Sequence, residues 1–164
     1  PAHGILVSVS GGTDADVAKA IWSKRAAGTP MAGNTTVTVQ DDVNGYLPPY
    51  PETDITFQRA AGTPVHIRVT VTSSDDIPQD AATQIQTAAL STFNGTGSAA
   101  TNLERINSTV YGSSFVADIS ALGTWARIIS VQVSLDGTTY SDTVALNATE
   151  IPTLTAANIT MVAA

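Results

Sequence analysis

The sequence predicts an α+β fold with a mixed, mainly antiparallel sheet and two main helices. Three observations predict it. Val65-His66-Ile67-Arg68-Val69-Thr70-Val71-Thr72 alternates apolar and polar residues without a break, the pattern of a half-buried strand. Val17, Ala18, Ile21 and Trp22 recur at helical spacing behind a capping residue. The elements run β-α-β-β-β-α, then a short helix, then β-β-β, with no regular βαβ repeat.

Taken in order, Ile5-Leu6-Val7-Ser8-Val9-Ser10 reads as a largely buried strand ended by Gly11-Gly12. Thr13 or Asp14 caps the first helix, with Asp14 and Asp16 beside its positive end, Arg25 continues the helical spacing with Lys24 and Arg25 in the last turn, and Gly28 and Pro30 stop it. Thr35-Thr36-Val37-Thr38-Val39-Gln40 alternates with Val37 and Val39 on one face. A proline-rich loop runs from Asp41 to Asp54, and Ile55-Thr56-Phe57-Gln58-Arg59 alternates again. Gly62-Thr63-Pro64 then reads as a turn into the clearest strand, Val65–Thr72.

Asp75, Asp76 and Pro78 open the second helix, whose stripe is Ala82, Ile85, Ala89 and Phe93, and Asn94-Gly95 ends it. Thr96 to Thr101 is small and polar and reads as a joint. A short helix is expected around Val110 to Ile119. Strands are expected at Ala126 to Leu135, Thr143 to Asn147 and Asn158 to Val162, with a turn at Asp136-Gly137. This divides the chain into an α+β subdomain, 1–96, and a β-rich C-terminal subdomain, 102–164, packed together.

Composition narrows the function. A chain of 164 residues buries roughly 70% of its unfolded surface and folds without staples. It has no cysteine, so disulfides, thiolate metal sites and a cysteine nucleophile are absent. The net charge is −7 with seven scattered Lys and Arg, which leaves no basic patch for nucleic acid or an anionic membrane. No apolar run approaches the roughly 20 residues that span a bilayer. Pro1-Ala2-His3-Gly4 lacks a starting Met and the regions of a signal peptide, so the chain reads as a piece of something longer. Charged residues are only 13% of the chain, which suits lasting contact with other proteins.

Candidate chemistry is thin. His3 sits at the start of the chain and His66 on the polar face of a strand, too far apart in sequence to suggest metal ligands. The carboxylate pairs Asp14/Asp16, Asp41/Asp42, Glu52/Asp54 and Asp75/Asp76 have plainer roles as caps and turn residues. Gly11-Gly12 lies between a strand and a helix, but no Lys follows and two carboxylates occupy the place of a phosphate. Five Asn-x-Ser/Thr triplets, at Asn34, Asn94, Asn107, Asn147 and Asn158, are what a Thr- and Asn-rich chain produces by chance. Trp22 belongs to the apolar stripe of the first helix. Tyr46, Leu47 and Tyr50 in the long loop, with Trp125 after a Gly-Thr turn, are the candidate interface residues. They either anchor a partner or fold back onto the chain, and the sequence leaves both open.

A longer pattern also emerges. Gly11-Gly12-Thr13-Asp14-Ala15-Asp16-Val17-Ala18-Lys19-Ala20-Ile21-Trp22 resembles the strand-to-helix junction of baseplate J-like proteins of contractile phage tails. Ala27-Gly28, then Gly33 to Asp41, Ile55 to Arg59 and Thr63 to Val71 follow in the family's order. Glu150 to Leu154 with Asn158-Ile159-Thr160 is similar to its closing segment, and the stretch from about Thr96 to Gly123 carries least of the likeness. The resemblance implies the C-terminal portion of a baseplate wedge subunit, in the virion tail baseplate and assembled in the bacterial cytoplasm. It implies no catalysis and no cofactor, with other wedge proteins and copies of itself as partners. Related contractile injection machines use the same parts. Two other classes are a secreted adhesion or carbohydrate-binding domain, which predicts an all-β sandwich, and an enzyme with paired acidic residues, which needs two carboxylates in a cleft.

Overall fold

Thr13 decides where the first helix starts. Its hydroxyl accepts from the backbone N–H of Asp16 at 3.2 Å and donates to the Asp16 carboxylate at 2.6 Å, so side chains satisfy donors that the first turn cannot. Helix α1 then spans Asp14–Trp22. This is a computed structural model, and it describes residues 4–26, 28–98 and 103–164. His3 and the rest of the opening tripeptide lie outside the described residues, as does the 99–102 part of the expected joint.

The chain forms two compact units, Pro1–Ala60 and Ala61–Ala164. In the first, strands β1 (Ile5–Leu6) and β2 (Ser8–Val9) precede α1, and β3 (Met31–Ala32), β4 (Thr35–Gln40) and β5 (Glu52–Arg59) follow it. The β4–β5 ladder is antiparallel, with Val37 opposite Ile55, while β2 joins β5 and β1 joins β3 in parallel. Alternation on β4 and β5 sends Val39, Ile55 and Phe57 to the side where α1 contributes Ala18, and these four form the buried core. Val17, Ile21 and Trp22 pack against it half-buried. Arg59 locks the opposite end: its guanidinium donates to the Gly11 and Gly12 carbonyls at 2.5 and 2.9 Å and to Asp14 at 2.6 Å.

The second unit is built on β7 (His66–Val71), whose inward residues Ile67, Val69 and Val71 are fully buried together with Val65. Strand β9 (Ile128–Ser134) pairs with it antiparallel and β12 (Ile159–Ala163) in parallel. Helix α2 (Ala81–Phe93) packs on β12 and on the short α3 (Val116–Ser120). Two further ladders complete the unit. β8 (Thr109–Tyr111) pairs with β10 (Thr143–Ala145), and β6 (Ala61–Pro64) pairs in parallel with β11 (Glu150–Thr153).

The α+β class, the mixed sheets and the two main helices are those the sequence predicts. The two longest ladders, β4–β5 and β7–β9, hold six residue pairs each and are antiparallel. Several details differ. The division falls after Ala60 rather than between 96 and 102, because α2, β7, β9 and β12 share one core that joins Val65 to Ile159. Gly62-Thr63-Pro64 is part of strand β6, not a turn, because β11 supplies a partner along its whole length. Ile5 and Leu6 are 46% and 44% exposed rather than buried, since nothing described covers β1 on its outer side.

Helix α2 starts at Ala81, with Asp80 at the cap position, so Asp75 and Asp76 lie in the preceding turn and do not cap it. Ala82 is exposed and Ala81 takes its place on the buried stripe. The helix expected from Val110 to Ile119 is a strand, a 3-10 turn over Gly112–Phe115, and α3. Only its last half is α-helical.

Candidate interaction surface

The loop 41–51 joins β4 to β5, and its root is fixed by hydrogen bonds. The Asp41 backbone N–H donates to the Pro51 carbonyl at 2.9 Å, and the Gln40 side-chain amide donates to Glu52 at 2.9 Å. The Asp41 carboxylate accepts from the Asn44 backbone N–H at 3.2 Å and from its side-chain amide at 2.8 and 2.9 Å, which shapes the first turn. Asp42 pairs with Lys19 of α1 at 3.3 Å. This ion pair is exposed and contributes little beyond orientation.

Beyond that root the loop turns apolar residues outward. Val43, Tyr46 and Leu47 are 64%, 53% and 85% exposed, and Tyr50 is half-buried. Three large apolar side chains on one short loop exceed the scattered exposure of an ordinary surface. The sequence singles out Tyr46, Leu47 and Tyr50 on this loop but not Val43, whose only signal is its place in the Asp41 turn. Trp125 belongs to the second unit, where it is half-buried, packs against that unit's core, and lies against Gly123.

Several of the candidate catalytic features have a structural role. Asp14 and Asp16 serve the cap and the Arg59 lock. Glu52 and Asp54 accept from Gln40 and Thr38 across the β4–β5 ladder, at 2.9 and 2.7 Å. The Gly11 and Gly12 carbonyls face the Arg59 guanidinium, so this loop presents acceptors where a phosphate needs donors. His66 is half-buried beneath the turn at Gly137 rather than exposed. Among the described residues, no group of three or more His, Asp or Glu side chains lies close enough to hold a metal ion, and no helix is long and apolar enough to cross a membrane.

Two further carboxylates are held strongly: Asp118, which the sequence does not single out, and Asp136, which it marks only as a turn residue. Asp118 accepts from the hydroxyls of Ser98 and Thr92, and these hydrogen bonds, Ser98 first, lower its pKa from the usual carboxylate range. Asp136 accepts from the Thr139 and Thr138 backbone N–H groups, both at 2.7 Å, and from the Ser134 hydroxyl at 2.8 Å. The backbone donors, Thr139 first, hold its pKa well below normal. The folded state therefore resists protonating Asp136 more than the unfolded chain does. Its contribution is complete above about pH 4 and fades as pH falls toward the lowered native value. Asp136→Asn is expected to lower the urea midpoint at pH 7 and to flatten its decline between about pH 4 and 2. An unchanged midpoint at pH 7 would refute this.

No protein-family model matches the chain, and comparison with curated proteins finds no match.

Proposed function

We propose that this chain is a structural component of a contractile phage tail baseplate, the C-terminal portion of a wedge subunit. It acts through protein–protein interfaces with other wedge proteins and with copies of itself, in the virion tail baseplate after assembly in the bacterial cytoplasm. The reading assigns it no catalysis, cofactor, small-molecule substrate, nucleic acid or membrane. What carries the proposal is the ordered resemblance to baseplate J-like proteins. Its segments coincide with framework elements of each unit: the Gly11–Trp22 junction with α1, Gly33–Asp41 with β4, Ile55–Arg59 with β5, Val65–Val71 with β7, and Asn158–Thr160 with the start of β12. The apolar tip of loop 41–51 adds a surface suited to a protein partner.

The second reading is a secreted adhesion or carbohydrate-binding domain. Thr-rich strands and the loop tyrosines favour it, whereas α1 and α2 are foreign to the all-β sandwich it requires. Antibody labelling of purified tail particles, viewed by electron microscopy, separates the two. Label at the baseplate end is the expected result. Unlabelled particles, with the domain recovered free or on the cell surface, would favour adhesion.

A further inference from the structure

The first unit carries a groove as well as a protruding loop. The groove, about 400 Å3 in volume, lies between the C-terminal half of α1 and strands β1 and β3. Ile5, Val7, Ile21 and Met31 make its walls apolar, and Lys24 and Arg25 stand at its rim. Among the described residues neither cation has an ion-pair partner. None of the lining residues comes from loop 41–51, so the groove is not filled by the loop of its own chain.

The charges of groove and loop are complementary. Residues 41–54 hold four carboxylates, Asp41, Asp42, Glu52 and Asp54, and no Lys or Arg. The loop tip is apolar with an acidic root, and the groove is apolar with a basic rim. We propose that loop 41–51 of one copy docks into this groove on a second copy of the same chain, head to tail. Tyr46 and Leu47 enter the apolar floor while the acidic root faces Lys24 and Arg25. Because the two surfaces differ, a docked pair keeps one loop and one groove free for further neighbours, so the contact builds open chains or closed rings. One loop in one groove buries less than the roughly 1,200 Å2 of a standard interface, so the association is weak in isolation and salt-sensitive. The inference deepens the structural-subunit reading and rests on it for the self-association of copies.

The test uses sedimentation velocity on the whole chain over a range of concentrations, with two variants at exposed positions. Leu47→Glu damages only the loop, and Ala20→Glu places a carboxylate in the groove lining. Circular dichroism checks that both remain folded. The wild type is expected to grow beyond a dimer as concentration rises, and less so in high salt. Each variant alone is expected to stay monomeric, with affinity down at least about tenfold. An equimolar mixture should form a dimer and stop there, because one sound loop still meets one sound groove. A wild type that stays monomeric, variants that associate as it does, or a mixture that stays monomeric would each overturn the contact. Baseplate labelling with a monomeric protein would keep the structural-subunit reading and reject this contact, and head-to-tail dimers with unlabelled tails would do the reverse.

Discussion

Phe57→Ala is expected to cost about 3–5 kcal/mol and to unfold the first unit. The size follows from how little core that unit has. Among the described residues of that unit four are buried, Ala18, Val39, Ile55 and Phe57, and Phe57 is the only aromatic of the four. A unit of about sixty residues carries roughly 3–9 kcal/mol of stability, so one lost ring removes a large share of it. The neighbours cannot close the gap easily. Ile55 and Phe57 stand on a strand whose register is fixed by six pairs with β4, and Ala18 offers no side chain that could swing into the cavity. The ring also lies under the Arg59 guanidinium, 5.2 Å from its centroid, and Arg59 holds Gly11, Gly12 and Asp14 in place. Urea unfolding gives the cost, and peptide-level hydrogen exchange should confine the lost protection to the first unit. A cost below about 1 kcal/mol would mean that the core collapses around the missing ring. Phe57→Leu, which keeps most of the volume, should be much milder.

What the sequence discloses about this fold depends on how local the cause is. The cap at Thr13 and the stripe Val17, Ala18, Ile21 and Trp22 lie within one helix, so the start of α1 is legible to within a residue, whereas its end falls at Trp22, before the Lys24 and Arg25 expected in its last turn. Strand β7 is legible because one of its faces is wholly buried, which forces strict alternation on Val65, Ile67, Val69 and Val71. Strand β6 is not legible. Ala61-Gly62-Thr63-Pro64 has the composition of a turn, and becomes a strand only because Glu150-Ile151-Pro152-Thr153 pairs with it from far along the chain.

The same holds for the surfaces. Apolar composition cannot say that Ile5 and Leu6 stay exposed, because burial depends on which element covers β1. Tyr46 and Leu47 could be picked out as loop aromatics and aliphatics. Their outward direction comes from the root bonds at Gln40, Asp41, Pro51 and Glu52, which no local pattern announces.

Gly112→Ala should be the most damaging small change in the second unit. Gly112 is fully buried in the 3-10 turn after β8, and its N–H donates to the Asp142 carbonyl at 2.8 Å. An added Cβ would fall well inside van der Waals contact of the Val131 carbonyl oxygen. The obstacle is backbone, and Val131 is held in β9 opposite Val69, so neither side can yield without disturbing the central β7–β9 ladder. Overpacking costs about 1–3 kcal/mol even where side chains can move aside, and here they cannot, so the upper end or more is expected. For a unit of this size that corresponds to a fall of roughly 10–20 °C in Tm. The sign of the effect is itself informative. Gly112 is not among the residues with positive φ, so alanine fits its backbone conformation. In open space such a change stabilises by about 0.4–1 kcal/mol through the unfolded chain. A large loss therefore reports the clash alone. Ser113→Ala, at the exposed neighbour in the same turn, is the control and should leave Tm nearly unchanged. If Gly112→Ala melted with the wild type, the close approach of the turn to β9 would be wrong, and with it the packing of the 3-10 turn that carries Phe115 into the core.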